Sequence, residues 1–472
     1  MISSRRRAIA LVLSGLLGGC SLTQPPRPAA MNLPQQFGRD DAAMAKPLSP
    51  AANSAPFWQN PTLKRWLRAG LRHNPSLQSS LSSLQAAHEQ TLAQKASLLP
   101  SFAASYTPQR ATTSAILASP LQYPVNPYTL QTAQVSVSYN VDVFGLNHDL
   151  LYSVEAQEQL AQAQLQAARL SLLGNIASNA VQLAAALDGL QRSQSLLQDE
   201  QRLTQMLQHG LDQGFNTRLD VLQQEQQEQQ AAASVSGFQK QVEQSRDALA
   251  VLTGQAPANF AATDLHLAEL LAPGAPPRQV PAAWVRRRPD IAAAAAQVRT
   301  AAADLGVAAA SRWPQLAVLA AWGGSATTLA QSLQPADRFW SLGASVTQPL
   351  FDFGQLKHRE RAAKASLDAA EQQYRMTVLQ ALQNVADSLY ALNADAQALR
   401  QTRRQTQDAA TLLQMSQQRQ QLGFSPGLEV LQNRILWQQA ELTRLQAEAA
   451  RLEDRVALDL ALGTPDAAAE TP

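Results

Sequence analysis

Hydrophobic positions along this chain recur with two different periods, and the switches between them divide it. The longest uniform stretch covers residues 355–422, 68 consecutive positions without glycine or proline. As one helix rising 1.5 Å per residue it would be about 100 Å long. Within it Val378, Leu382, Val385, Leu389, Leu392, Ala396 and Leu399 alternate four- and three-residue steps, a narrow coiled-coil seam flanked by Gln, Arg and Asp. A helix of that length needs neighbours as long as itself. Residues 146–209 form a second proline-free tract, with Leu172, Ile176, Leu183, Ala186, Leu190 and Leu197 on a seam interrupted by Asn179 and Ser193 and weakened locally by Gly174 and Gly189. It stops at Gly210-Leu211-Asp212-Gln213-Gly214. Asn216 or Thr217 then caps a returning helix that runs through Leu219, Val221 and Leu222 to Leu249 and Leu252. The glutamine run at 223–230 has the composition of a disordered tract, but the apolar period resumes on both sides of it. Two shorter helices come earlier. Leu63, Trp66, Leu67 and Leu71 mark one, and Leu77, Leu81, Leu84 and Leu92 the other, with a break at His73-Asn74-Pro75.

After Pro100 the period becomes two. Phe102, Ala104 and Tyr106 alternate, and so do Ala133, Val135, Val137, Tyr139, Val141 and Val143, with Gln134, Ser136, Ser138 and Asn140 between them. Leu316, Val318, Ala320 and Trp322 repeat the pattern, as do Trp340, Leu342, Ala344 and Val346. Strands apolar on one side and small-polar on the other suit the wall of a membrane β-barrel; a single stretch of this kind fits a soluble half-buried strand equally well. Four on one face favour the membrane. Tyr106, Tyr139, Trp322 and Trp340 fall near strand ends, where an interfacial girdle would place them. The smallest known single-chain barrels have eight strands, so closing this one requires at least two copies, because hydrocarbon does not tolerate an open edge.

The second half repeats the first. Pro75 and Pro289 lie 214 residues apart, as do Pro100 and Pro314. Beyond the strands the offset is 209. It relates Phe144-Gly145 to Phe353-Gly354, Gly214-Phe215 to Gly423-Phe424, Asp220-Val221-Leu222-Gln223 to Glu429-Val430-Leu431-Gln432, and Gly254 to Gly463. The five-residue change falls where the hairpin loop is predicted, and loops absorb insertions. The expected organisation is a signal peptide (1–19), an extended tether (20–56) and a first repeat (57–254) of short helices, β-hairpin about 101–143, long helix 146–209 and return helix 217–253. A Pro- and Ala-rich linker (255–283) leads to a second repeat (284–463) with helix 287–312, hairpin about 315–350, long helix 355–422 and return helix 426–462, then a tail (464–472).

Composition narrows the function. Of 472 residues 45% are hydrophobic and only 5% aromatic, a mixture suited to long helices, and the net charge of +2 provides no field for nucleic acid. Arg5, Arg6 and Arg7 followed by an apolar run too short to span a bilayer read as an export signal. Leu17-Gly18-Gly19-Cys20 resembles the bacterial lipobox, in which the cysteine receives acyl chains such as palmitate. Cys20 is the only cysteine, so an internal disulfide is impossible. Ser21 at the next position fits the outer-membrane sorting pattern. Seven prolines in 21–56 make an extended tether from lipid to body. No catalytic constellation is found: the six histidines lack ligand spacing, and neither a P-loop nor HExxH nor GxGxxG occurs. Neither a cofactor nor a metal is expected. Arg286, Arg287 and Arg288 read as structural partners for Asp290 rather than as an anion site.

The lipobox, Arg287-Arg288-Pro289-Asp290-Ile291, Pro349-Leu350-Phe351-Asp352-Phe353-Gly354 and the two glycine turns followed by Asp/Glu-Val-Leu resemble, in order and duplicated, the TolC-like outer-membrane efflux factors, close to the NodT-type lipoprotein branch. The resemblance implies an α+β membrane protein, a homotrimer whose chains pool four strands each into a transmembrane β-barrel continued by a long periplasmic α-helical barrel. It would sit in the outer membrane of a Gram-negative bacterium among outer-membrane lipid, anchored at Cys20. It would act as a passive, non-enzymatic exit duct for drugs or other small solutes delivered by an inner-membrane pump and a periplasmic adaptor, the membrane fusion protein. The adaptor-docking tip carried over by position is Leu211, Gly214, Phe215 and Thr217 with Leu422, Gly423, Phe424 and Ser425. Asp212, Gln418 and Gln421 are candidates for an aperture. Export of protein or polysaccharide and a non-channel structural envelope lipoprotein are the alternative readings.

Overall fold

The computed structural model describes residues 36–37, 56–112, 127–261, 265–270, 280–281, 287–424 and 426–463. The export signal, Cys20, Ser425 and most of the tether lie outside the described residues.

Asparagines set the first two helices. Asn60 accepts from the backbone N–H groups of Thr62 at 2.9 Å and Leu63 at 3.1 Å, starting α1 (Pro61–His73), and Pro61 sits where no helical N–H is needed. Asn74 separates α1 from α2 (Pro75–Ala96): its side-chain oxygen accepts from Leu77 N at 3.1 Å while its amide donates to Leu252 O at 3.0 Å. The glycine- and proline-free tract is helix almost throughout. The two longest helices, α3 (Leu146–Asp212) and α7 (Gln355–Gln421), have 67 residues each; α4 (Arg218–Leu252) and α8 (Gly427–Ala461) have 35 each; α5 (Pro289–Ala310), like α2, has 22.

Contacts divide the chain into two units. One contains Ser83–Ala161 and Ala293–Tyr374. It holds a four-stranded antiparallel sheet in the order β1-β2-β3-β4, made of β1 (Ser101–Ala111), β2 (Tyr128–Val141), β3 (Gln315–Ala326) and β4 (Arg338–Thr347). The one-turn α6 (Leu329–Ser332) lies in the β3–β4 connection. The helix ends joining the sheet are tied by the ion pairs Lys95–Glu155 at 3.2 Å and Arg312–Glu360 at 2.5 Å, by the His88–Glu158 hydrogen bond at 2.9 Å, and by the stacked rings of Phe144 and Trp313.

The other unit contains the remaining lengths of the long helices together with α1, α4 and α8. On α7, Val378, Val385, Leu389, Leu392 and Leu399 are buried, but Ala381 is more deeply buried than its neighbour Leu382. In α3 burial exceeds a single seam: Ala177, Ala180, Val181 and Ala184 join Leu172, Ile176 and Leu183 with almost no exposed surface. The glycines read as weak points have a packing role. A Cβ on Gly174 would run into the Leu460 side chain and one on Gly189 into the Phe238 ring, so both let a neighbouring helix approach closely.

Two expectations are corrected. The stretch read as a plain linker (255–283) contains the short helix Leu267–Leu270, with Leu265, Leu267 and Leu270 wholly buried, and Val280–Pro281 pairs with Gln36–Phe37 from the supposed tether. Phe57 and Trp58, at the start of the first repeat, are also buried, and Trp58 Nε1 donates to Asp459 Oδ2 at 2.9 Å. Burial holds the Asp459 carboxyl above the usual aspartate range, against the opposing pull of Arg455 and of the Trp58 hydrogen bond.

Gly174→Val is expected to lower the urea midpoint for loss of helical circular dichroism by an amount equivalent to about 1–3 kcal/mol, because Leu460 is displaced from a filled position. Gly237→Val, which faces open space, is the control and is expected to be near neutral.

Candidate functional site: the sheet face and the helix turns

Residues directly opposite one another in an antiparallel ladder share a face, so the register assigns every strand residue to a side. One row contains Ala104, Val135, Trp322 and Trp340. The neighbouring rows on that face are Phe102, Val137, Ala320 and Leu342 on one side, and Tyr106, Ala133, Gly324 and Arg338 on the other. Beyond them Tyr139 faces Val318 and Val141 faces Leu316. This side is apolar apart from Arg338 over about 27 Å of strand, eight residue steps, close to the apolar band of a membrane barrel. The opposite side carries Ser, Gln, Gly and Ala, with Leu319 and Phe339 the large exceptions in the rows all four strands share. Trp340 is 77% exposed and Phe102 75%, both on edge strands. Of the four girdle aromatics, Tyr106, Trp322 and Trp340 gather in adjacent rows at the hairpin-loop end, while Tyr139 lies two rows further along the same face.

The second candidate region is the pair of helix-to-helix turns. At the end of α3 the Phe215 N–H reaches Gly210 O at 2.7 Å, and at the end of α7 the Phe424 N–H reaches Arg419 O at 2.8 Å, the same five-residue closure twice. Both need a left-handed residue, supplied by Gly214 (φ 80°) and Gly423 (φ 78°). The Phe that follows does not fold back against its own helix: Phe215 is 82% exposed and Phe424 74%. The helix starts differ. Thr217 and Asp220 form a reciprocal capping box on α4, and the bonds from Thr217 hold the Asp220 carboxyl below its ordinary range. Helix α8 starts at Pro426 without a side-chain cap; Arg419 instead reaches Glu429 in its first turn at 3.3 Å. Asp212, Gln418 and Gln421 are exposed, and Asp212 accepts from Gln208 at 3.2 Å.

Inward from the turns lies a polar cluster that sequence spacing did not announce. Asp199 on α3 is buried and accepts from Arg434 twice, at 2.8 and 2.5 Å, and from Gln438 at 2.6 Å, both on α8. Beside it Glu200 accepts from Gln224 of α4 at 2.5 Å, and burial raises its carboxyl pKa. Leu196, Leu203, Ala231, Leu431 and Ile435 form an apolar cluster among the same three helices. Further along, burial and the neighbouring Asp395 carboxyl of α7 push Asp454 on α8 up to about 6.

The profile of the family described as Outer membrane efflux protein matches residues 66–255 and 281–464, most of the chain. The chain belongs to this family. As an outer membrane efflux protein it is 27% identical over 416 residues to Outer membrane protein OprJ of Pseudomonas aeruginosa, covering 85% of each chain. It is 26% identical over 475 residues to Nodulation protein T of Rhizobium leguminosarum bv. viciae, covering 97% of this chain and 93% of that one. The solved outer-membrane channel OprN superposes with a TM-score of 0.81 at 26% identity, covering 94% of this chain and 99% of that one. The NodT-type resemblance is thus borne out, as is placement in the outer membrane with a periplasmic helical part. A family of channel proteins agrees with the lack of a catalytic signature in the sequence. Arg288 holds Asp290 at 2.8 and 3.0 Å and donates to Ala461 O at 3.1 Å, a structural role.

Arg434→Ala, which strips the main partner from a buried carboxylate, is expected to cost on the order of 2 kcal/mol, and Asp199→Asn combined with Arg434→Gln to restore most of it; urea denaturation of the three proteins measures this. The Asp454 proton is bound more tightly folded than free, so its stabilisation is complete below about 3.8 and is lost as pH rises through about 6. Asp454→Asn should therefore be more stable than the parent at pH 7.5 by up to about 1 kcal/mol, after allowing for solvent screening, with the difference shrinking at pH 5.

Proposed function

We propose that three copies of this chain pool their sheets into a closed twelve-stranded barrel, with the long helices forming a periplasmic conduit below it. Through this duct an inner-membrane pump and a periplasmic adaptor export drugs or other small solutes. The observation that carries the reading is the sheet: one apolar face, one small-polar face, and two edge strands, β1 and β4, that run in opposite directions and have no partner strand among the described residues. Opposite directions let β4 of one copy pair antiparallel with β1 of the next, which satisfies every edge N–H and C=O without a new element. The polar face then lines a wet lumen and the apolar face meets lipid. Exposed Leu350, Phe351 and Phe353, immediately after β4, add apolar surface suited to a neighbouring copy. The two matches to one family profile, together with helix pairs of equal length, support an internal duplication. A lipid on Cys20 fits a sequence that has no other cysteine. This chain has no nucleotide-binding motif, so energy enters from the pump.

The adaptor docks on the turns, where Phe215 and Phe424 are held outward by left-handed glycines and Leu211, Thr217 and Leu422 frame them. Asp212, Gln418 and Gln421 narrow the opening. Purified protein is expected to form trimers and to give stepwise conductance in a planar bilayer; stable monomers with no conductance would overturn the duct. Gly423→Val strains the second turn and is expected to retain trimer and conductance while sensitising cells to effluxed drugs to nearly the level of a deletion strain. Unchanged drug tolerance would remove the docking assignment.

A further inference from the structure

Both β-hairpin connections leave the sheet at the same end, after Ala111 and after Ala326, while α2, α3, α5 and α7 join it at the other. With the helical part in the periplasm, the loop end faces the outer leaflet. There the sheet has a cavity of about 440 Å³. Ala104, Tyr106, Ala133, Val135, Trp322 and Arg338 line most of it from the apolar face, Ser105, Gln134 and Gly323 contribute from the intervening row, and Ser332 and Leu333 close it from the β3–β4 connection. The connection lies tight against this row: a Cβ on Gly324 would run into the Ser332 carbonyl oxygen, and Ser332 is buried. Arg338 is the one charged side chain of the lining. Its guanidinium carbon stands 5.9 Å from the centre of the Trp322 ring and it donates to Leu333 O at 3.4 Å, but it forms no salt bridge among the described residues.

A mostly apolar cavity continuous with the apolar face of the sheet, with an unneutralised arginine on an aromatic ring in its lining, matches a molecule with acyl chains and a phosphate. A neutral lipid would leave the cation without a counter-charge at the edge of hydrocarbon, where that is costly. We propose that this cavity binds a phosphorylated glycolipid of the outer leaflet, with an acyl chain against Val135 and Trp322 and the phosphate on Arg338. The assignment rests on the barrel reading above. A bidentate guanidinium–phosphate contact also fixes the height of the sheet in the membrane, because the anchor sits one row beyond the tryptophans.

The full-length protein, reconstituted in phosphatidylcholine nanodiscs, is titrated with diphosphorylated lipid A and occupancy is read by native mass spectrometry. Arg338→Gln is expected to weaken binding by about fivefold or more, and the dephosphorylated lipid to bind the parent protein more weakly by a similar factor. The second comparison needs no variant, so a failure of Arg338→Gln to assemble does not blunt the test. Equal binding of the two lipids by the parent protein, or release of the lipid by millimolar inorganic phosphate, overturns the assignment. A protein that inserts and conducts yet shows no preference for the phosphorylated lipid overturns this site alone. One that does not insert removes the barrel reading with it.

Discussion

A backbone amide in hydrocarbon must find a partner within the protein, and that requirement governs the rest of this molecule. On the proposed barrel, the two edge strands, which have no partner strand among the described residues, meet it by joining other copies. The strand directions permit a head-to-tail ring, and the register places residues as different as Phe102 and Leu342 on one continuous apolar surface. Each strand is joined to a helix at the end away from the hairpin loops, so on the proposed barrel a ring of strands would carry a ring of helices with it.

The helical part solves a different problem. Long helices with narrow seams have little apolar surface per residue, so they gain stability from close approach and from buried polar groups paired between helices. Gly174 and Gly189 provide the first, admitting Leu460 and Phe238. Asp199, held by Arg434 and Gln438, provides the second. A buried ion pair of this kind adds little net stability compared with apolar replacements, but it fixes register between helices that would otherwise present interchangeable leucines and alanines.

Much of this was legible in the sequence because period survives in one dimension. The alternation from Ala133 to Val141 specified a two-faced strand before any partner was known, and Gly214 and Gly423 marked turns because little else adopts their backbone geometry. What was not legible depends on residues distant in the chain or on short apolar runs without a period. Leu265, Leu267 and Leu270 sit among prolines, so no period exposes their burial. Asp199 and Arg434, 235 positions apart, show no local sign of one another, and neither do Trp58 and Asp459, 401 apart. The alanines of α3 were undercounted because a small side chain signals burial weakly, although Ala177, Ala180 and Ala184 have no exposed surface. Asn216 and Thr217 were equal candidates as caps; the reciprocal bonds with Asp220 select Thr217, and Asn216 turns to Leu207 O instead.

The clamp on Asp199 also restricts how the hairpins can move. Arg434 and Gln438 are one helical turn apart on α8 and grip a single carboxylate on α3. Sliding one helix along the other by a turn, about 5.4 Å, would take one of the two donors out of reach and reduce the grip of α8 to a single side chain. Shear between these helices therefore costs part of the clamp, and the carboxylate acts as a registration pin between α3 and α8.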